Sequence, residues 1–333
     1  MNTDAPRLNR ENSPSPDLCR SAVRCFDELW DAAPRMNCDR VTIGGARVLD
    51  AGVNCLGSLE AGIGLARLCM GDFADISYSA KDSNDVVDLS VSVRTDHPVK
   101  ACLAGQYAGW PVSVDDFFAM ASGPMRMLRG KEAMLEHLEL ARPATEDDFA
   151  VGVLEADRLP TEDVIQTIAN ECGVTTHRLC LAIAPSTSLA GSAQVVARSV
   201  ETALHKLHAL DFDVTAVVSA HGNAPLPPPA KDGDTIQGIG RTNDAMLYGA
   251  RVTLWVDADD DAIADVAAKV PSESSDDHGK PFAQIFKQYD YDFYKVDPML
   301  FSPAVVTMHS LRSGKSWRHG RLMPDVLRES FSL

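Results

Sequence analysis

Apolar positions recur at helical spacing over residues 18–36, where Ala22, Val23, Phe26, Leu29 and Trp30 share one side. Residues 41–50 read as a strand pair turning at Gly44-Gly45. The stretch 57–62 opens an apolar helix that runs through Met70, with Ser58 suited to cap its first turn. Residues 86–93 alternate as a strand does. Polar, glycine-rich segments at 95–98, 105–110 and 118–124 read as turns, and the charged run 142–148 as a domain boundary.

The second half is more regular. Strands are predicted at 149–154, 179–184, 214–219 and 251–256. A helix is predicted over 161–172, capped by Thr161, and another from the Ser/Thr/Gly turn at 185–192 to near Leu210. A proline-bearing loop with Pro225 and Pro227 to Pro229 follows, continuing through Lys231 to Asp234. Residues 272–280 read as a polar loop, and 304–308 with 316–322 as a hairpin around 312–315. Strand–helix alternation of this kind predicts an α/β protein of mixed layers. The expected organisation is an N-terminal extension over 1–17, a first domain over 18–145 and a second over 146–333. It leaves open whether the C-terminal hairpin packs on the first domain.

A length of 333 residues is ample for two cores. The 31 Lys+Arg against 47 Asp+Glu give a formal charge of −16, which argues against nucleic acid or an anionic membrane as partner. Nothing reaches the ~18 apolar residues that a membrane span needs. The polar first residues lack a signal peptide's apolar core, so a cytoplasmic location is expected. The eight cysteines form no C-x-x-C pair, and several lie in apolar runs, which predicts reduced core thiols.

The familiar catalytic and metal motifs are absent: there is no G-x-x-x-x-G-K-[ST], no G-x-S-x-G, no H-E-x-x-H and no zinc-type Cys/His spacing. No metal ligand set is therefore expected. The Asp96-His97 pair precedes Pro98 in a turn, where capping competes with catalysis as its role. One arrangement in the 192–210 helix stands out. Arg198, Glu201, His205 and His208 form a polar stripe beside the apolar side of Val196, Val200, Ala203, Leu204 and Leu207. Spacing alone favours a solvated face with a minor ion pair.

Several segments, in order along the chain, resemble the methenyltetrahydromethanopterin cyclohydrolase family. They include Asp50-Ala51-Gly52-Val53 with Gly57-Ser58-Leu59-Glu60-Ala61-Gly62, Thr95-Asp96-His97-Pro98, and Gly105-Gln106-Tyr107-Ala108-Gly109-Trp110. Ala121-Ser122-Gly123-Pro124-Met125-Arg126, Ala184-Pro185-Ser186-Thr187 and Arg198-Ser199-Val200-Glu201-Thr202-Ala203 follow. The last are Gly240-Arg241-Thr242-Asn243-Asp244 and Gly279-Lys280-Pro281-Phe282, with the aromatic run at 291–298. The similarity spans residues 40–325 or so.

This resemblance implies hydrolysis of the methenyl bridge of a reduced methanopterin to the N5-formyl compound, reversibly. The implied pathway is one-carbon transfer between formaldehyde or formate and carbon dioxide, in a methanogen or a methylotroph-like bacterium. It assigns Glu201 as the catalytic carboxylate and Arg198 as the charge that positions it. The methenyl carbon of an amidinium cation is already electrophilic, so a single carboxylate serving as base and then acid meets the chemical demand. The candidate pterin contacts are Ser122, Gly123 and Pro124, where glycine permits close backbone approach, and Asp96, His97 and Asn243, with turn capping as the competing role. The turn 185–192 is either an anion site for the cofactor tail or a simple helix cap. No permanently bound cofactor is expected, with tetrahydromethanopterin or its dephospho form as the substrate carrier. The resemblance further implies an interdomain pterin cleft and a homotrimer. Two alternatives stay open: a non-catalytic pterin carrier or regulatory paralogue, and a cyclohydrolase of tetrahydrofolate derivatives.

Overall fold

A computed structural model describes residues 17–80, 86–292 and 295–333. The extension expected over 1–17 lies outside the described residues except for Asp17, whose side chain caps the helix Leu18–Ala32. The strands are β1 (Asp39–Ile43), β2 (Ala46–Asp50), β3 (Asp75–Ala80), β4 (Leu89–Thr95), β5 (Trp110–Val114) and β6 (Phe117–Ser122). Then come β7 (Ala150–Glu155), β8 (Leu179–Ala184), β9 (Val217–Pro225), β10 (Arg251–Val256), β11 (Val305–Ser310) and β12 (Ser316–Gly320).

Among the described residues these strands make two six-stranded mixed sheets, ordered β1-β2-β8-β7-β6-β5 and β12-β11-β10-β9-β4-β3. The first has a parallel centre, β2-β8-β7. Every residue of β8 is buried, as a strand covered on both faces requires, and its sequence is correspondingly a continuous apolar run. Burying side chains such as Leu179, Leu181 and Ile183 stabilises by roughly 1.5–3 kcal/mol each. One face of this sheet packs on the helices Leu18–Ala32 and Leu59–Cys69, the other on Glu162–Cys172. The second sheet packs on Ser199–Ala209 and Thr235–Gly249. The mixed α/β class expected from the alternation pattern is what forms.

The chain changes sheets at three connections: β2 to β3, β4 to β5, and β8 to β9. The strands therefore do not divide at residue 145: β7 and β8 complete the first sheet, whereas β3 and β4 belong to the second. The C-terminal hairpin β11–β12 lies at the edge of the second sheet, beside β10.

Most predicted elements appear within a few residues. Ser58 and Thr161 cap their helices through Ala61 N and Val164 N. The exceptions are informative. Residues 118–124 are not a turn, because Phe117–Ser122 forms β6. Within 99–106 the backbone winds as a π-helix. The proline loop after β9 leads into a helix, Thr235–Gly249, that its glycines conceal. The helix expected to run continuously to Leu210 is two: Leu189–Val196 and Ser199–Ala209, broken at Ala197 and Arg198. All eight cysteines are free thiols, buried except for partly exposed Cys55. Among the described residues no helix is long and apolar enough to cross a membrane.

Candidate active site

The break between the helices Leu189–Val196 and Ser199–Ala209 lies on the β8-to-β9 crossing, and the π-helix Val99–Gln106 lies on the β4-to-β5 crossing. They meet: the helix Ser199–Ala209 packs along the π-helix. The freed carbonyl of Ala197 accepts a hydrogen bond from Gln106 Nε2 at 3.1 Å, which satisfies the break. Arg198 sits at the N-cap and Glu201 in the first turn, where the helix dipole favours a carboxylate.

Both side chains are buried, at 6% and 4% exposure, so the stripe is not the solvated face that spacing suggested. Its apolar neighbours pack on the second sheet, and its polar side turns to the π-helix and the end of β6. Arg198 donates to Gln106 O at 3.1 Å, to Gln194 Oε1 at 3.2 Å and to Ser122 Oγ at 3.3 Å. Ser122 Oγ also lies 3.2 Å from Cys69 Sγ, at the end of the helix on the β2-to-β3 crossing. All three crossings thus bring side chains to one place. Gln106 Oε1, Gln194 Nε2 and Arg198 Nε are buried with no partner among the described residues. Such spare donors and acceptors suit a polar ligand.

Glu201 accepts no hydrogen bond among the described residues, and it forms no ion pair with Arg198. Burial pushes its carboxyl up to about 7, against the opposing pull of Arg198 and Arg126. Arg198 therefore acts on Glu201 through its field, while the guanidinium itself is fixed by amide and hydroxyl oxygens. Glu155, partly exposed at the end of β7, is likewise pushed up by burial and drawn back by Arg198. His205, one turn beyond Glu201, is pushed down to about 4 by burial, then His208 and Arg126, so it is neutral near pH 7. Its ring stacks on Tyr107 at 4.7 Å. The arrangement offers a buried carboxyl, Glu201, pushed toward neutral pH beside a fixed guanidinium and spare amide groups.

A family model described as cyclohydrolase (MCH) matches residues 17–331. The chain belongs to this family. A protein of Rhodopirellula baltica named methenyltetrahydromethanopterin cyclohydrolase is 72% identical over 330 residues, 99% of this chain and 98% of its own. Relatives with the same name in Methylobacillus flagellatus and Methanosarcina mazei are 44% and 43% identical. Those matches cover 86% and 92% of this chain and 86% and 96% of theirs.

The structure brings Arg198, Glu201 and Ser122 of the expected site together. Gly123 adjoins them at φ +103°, a conformation open to glycine, and donates to Gly105 O at 2.8 Å. The close approach it permits is to β7: an added Cβ would lie 2.8 Å from Gly152 Cα. Pro124 N-caps the short helix Met125–Arg129. Asp96 and His97 are exposed at the end of β4. Asp96 accepts from Ser219 at 2.7 Å, and the His97 ring lies edge-on to Phe73. Asn243 is buried on the helix Thr235–Gly249 and donates back to Ile239 O at 2.9 Å. No hydrogen bond joins these last three to the Arg198 cluster among the described residues. In the turn 185–192, Ser188 accepts from Gly191 N as an N-cap, and Ser192 donates to Ser186 O.

Sequence reasoning missed Gln106, Gln194, Cys69 and Glu155. Each comes from a different element, and local pattern carries no signal for their convergence. Among the described residues no group of three or more His, Cys, Asp or Glu side chains is gathered as a metal site would need.

Proposed function

We propose that this chain hydrolyses the methenyl bridge of 5,10-methenyltetrahydromethanopterin to the N5-formyl compound, with Glu201 as the proton-transfer group. That it is a cyclohydrolase follows from family membership and from 72% identity over nearly its whole length to a protein of that name. The observation that carries Glu201's role is its carboxyl, 4% exposed in the first turn of the helix that Arg198 begins, which burial pushes up to about 7 against the pull of Arg198 and Arg126.

The chemistry follows from the charges. The substrate is a cation whose methenyl carbon bridges N5 and N10. An ionised Glu201 takes one proton from water as the oxygen bonds to that carbon, giving a neutral carbinol and a protonated carboxyl. The carbon–N10 bond then breaks, N10 receives the proton from Glu201, and the hydroxyl proton leaves as the formyl carbonyl forms. One proton is released overall. A group titrating near 7 suits both transfers, since it gives and takes a proton with little driving force against it. Fixed dipoles and Arg198 hold the pocket without solvent reorganisation. The spare polar atoms of Gln106 and Gln194 and the hydroxyl of Ser122 support a role in holding the pterin or the attacking water. Gly123, Pro124, Asp96, His97 and Asn243 are retained as contacts from farther along the substrate. The pterin is placed between the two sheets, in an interdomain cleft.

We further propose a cytoplasmic homotrimer that uses tetrahydromethanopterin or its dephospho form as a passing carrier. It acts in one-carbon flow between formaldehyde or formate and carbon dioxide, without nucleic-acid or membrane partners. Light scattering of the purified chain reads the trimer directly. The activity is tested by offering the methenyl derivatives of tetrahydromethanopterin and of tetrahydrofolate to the same preparation. Turnover of the first and not the second supports the reading. Preference for the second moves the substrate class to folates, and binding without turnover moves the chain to the carrier reading.

A further inference from the structure

Among the described residues Arg126 is the largest side chain buried to 0% exposure, and the turnover scheme above assigns it no step. It follows Ser122-Gly123-Pro124 on the helix Met125–Arg129. Its Nη1 donates to three consecutive carbonyls at the end of the π-helix: Leu103 O and Ala104 O at 3.2 Å and Gly105 O at 3.1 Å. The next carbonyl, Gln106 O, is the one held by Arg198. The last carbonyls of a helix have no partner within it and carry its negative end, so two arginines here complete and neutralise the turn. The other edge of the guanidinium forks onto Glu132, with Nε to Oε1 at 2.8 Å and Nη2 to Oε2. Its face lies 5.1 Å from the Tyr107 ring, which stacks on His205 of the Glu201 helix.

Arg126 therefore touches the turn bearing Gln106 and, through Tyr107, the helix bearing Glu201. The groups around Glu201 are few. Arg198 begins the Glu201 helix, which continues with His205, with Lys206 and with His208 beside His137, and Glu155 closes β7 in the field of the same arginine. The π-helix contributes Lys100 and Cys102, and Arg126 lies behind it. The strands packed on the helix carry His221 and Arg251. Of all these, only Arg198 and Arg126 oppose the effect of burial at Glu201.

We propose that Arg126, paired with Glu132, is a positioning residue for the reaction: it fixes the end of the π-helix against Glu201 and sets the charge against which Glu201 works. This rests on the reading of Glu201 given above. Two variants should then move Glu201 in opposite directions. Arg126→Met removes a positive charge and raises the Glu201 titration midpoint, by on the order of one pH unit. Glu132→Gln is isosteric, keeps the arginine and removes its counter-charge, so it lowers the midpoint. Arg126→Lys keeps the charge but loses the fork, which leaves the midpoint near that of wild type while kcat falls.

The readout is infrared difference titration of the full ligand-free chain, with the Glu201 band assigned by its loss in Glu201→Gln, alongside kcat against pH. Opposite shifts in the two charge variants are the expected result. Midpoints that stay at wild type, or that move the same way, overturn the proposal, because a merely structural role predicts lost activity without opposed shifts. Should Arg126→Met fail to fold, the downward shift in Glu132→Gln decides alone. Opposed infrared shifts in a protein that does not turn over the methenyl substrate would fault the assigned reaction and leave the charge relation standing.

Discussion

Replacing the proposed catalytic carboxyl should make the protein more stable, by an amount that grows between pH 4.5 and about 7 and is held above it. Glu201 is 4% exposed and accepts no hydrogen bond among the described residues, so its ionised form is poorly compensated in the fold. Its carboxyl rises from an ordinary 4.5 to about 7 on folding. At 1.36 kcal/mol per pH unit that rise corresponds to roughly 3 kcal/mol. The sign is fixed by linkage. Below 4.5 the carboxyl is protonated in both states and the fold keeps its full stability. As pH climbs, the unfolded chain ionises first, and stability drains away until the folded carboxyl also ionises near 7. Glu201→Gln carries no titrating group and escapes this loss. Urea unfolding should therefore find the variant more stable by less than about 1 kcal/mol near pH 5 and by roughly 3 kcal/mol near pH 8. A gain of equal size at both pH values, or a variant weaker than wild type near pH 8, would refute the reasoning.

Other perturbations follow from the same geometry. Arg198→Met leaves Gln106 O without that donor and Gln194 Oε1 and Ser122 Oγ with Cys69 Sγ alone, and should lower stability by roughly 1–3 kcal/mol. It should also shift the acid limb of kcat against pH upward, and an unmoved limb would deny the arginine its charge role. Ser122→Ala loses a 3.3 Å bond to that guanidinium, for about 1 kcal/mol or roughly a fivefold fall in kcat with KM little changed. A rise in KM alone would make Ser122 a ground-state contact. Gly123→Ala forces a side chain to φ +103° and into Gly152, and should destabilise by roughly 1–3 kcal/mol in thermal or urea unfolding. Asp244 is pushed up to about 7 by burial while accepting from Phe282 N at 2.8 Å. Asp244→Asn should thus gain stability as pH rises from 3.8 to about 7, hold that gain above 7 and gain nothing below 3.8, a contrast that urea melts at two pH values would check.

Elements governed by local pattern were readable from the chain. Strand β8 is a continuous apolar run and forms over the six residues predicted. Thr161 and Ser58 announce helix starts because their hydroxyls have a local job. What failed was non-local. Nothing in Ala197-Arg198-Ser199 signals a helix break, since none is glycine or proline; the break is held by Gln106, from 91 residues away in sequence. Gly238, Gly240 and Gly249 argued against the helix Thr235–Gly249, yet Gly238 and Gly240 are where it packs closely on Ser186 and Ala283. The exchange of strands between sheets leaves no local trace either, so a contiguous two-domain division was the natural expectation and not the arrangement of the sheets. The Arg198–Glu201 pair was visible as a stripe, but its burial was not. Period shows which residues share a side, whereas only the packing of the π-helix shows that this side faces inward.

The central claim, that Glu201 moves the protons, is tested most directly by following the near-ultraviolet absorbance of the methenyl substrate with wild type and Glu201→Gln side by side across pH. The account predicts rapid decay with wild type, its acid limb lying near pH 7, and near-silence from the variant at every pH. Equal decay from both would leave the activity in place and take Glu201 out of the chemistry.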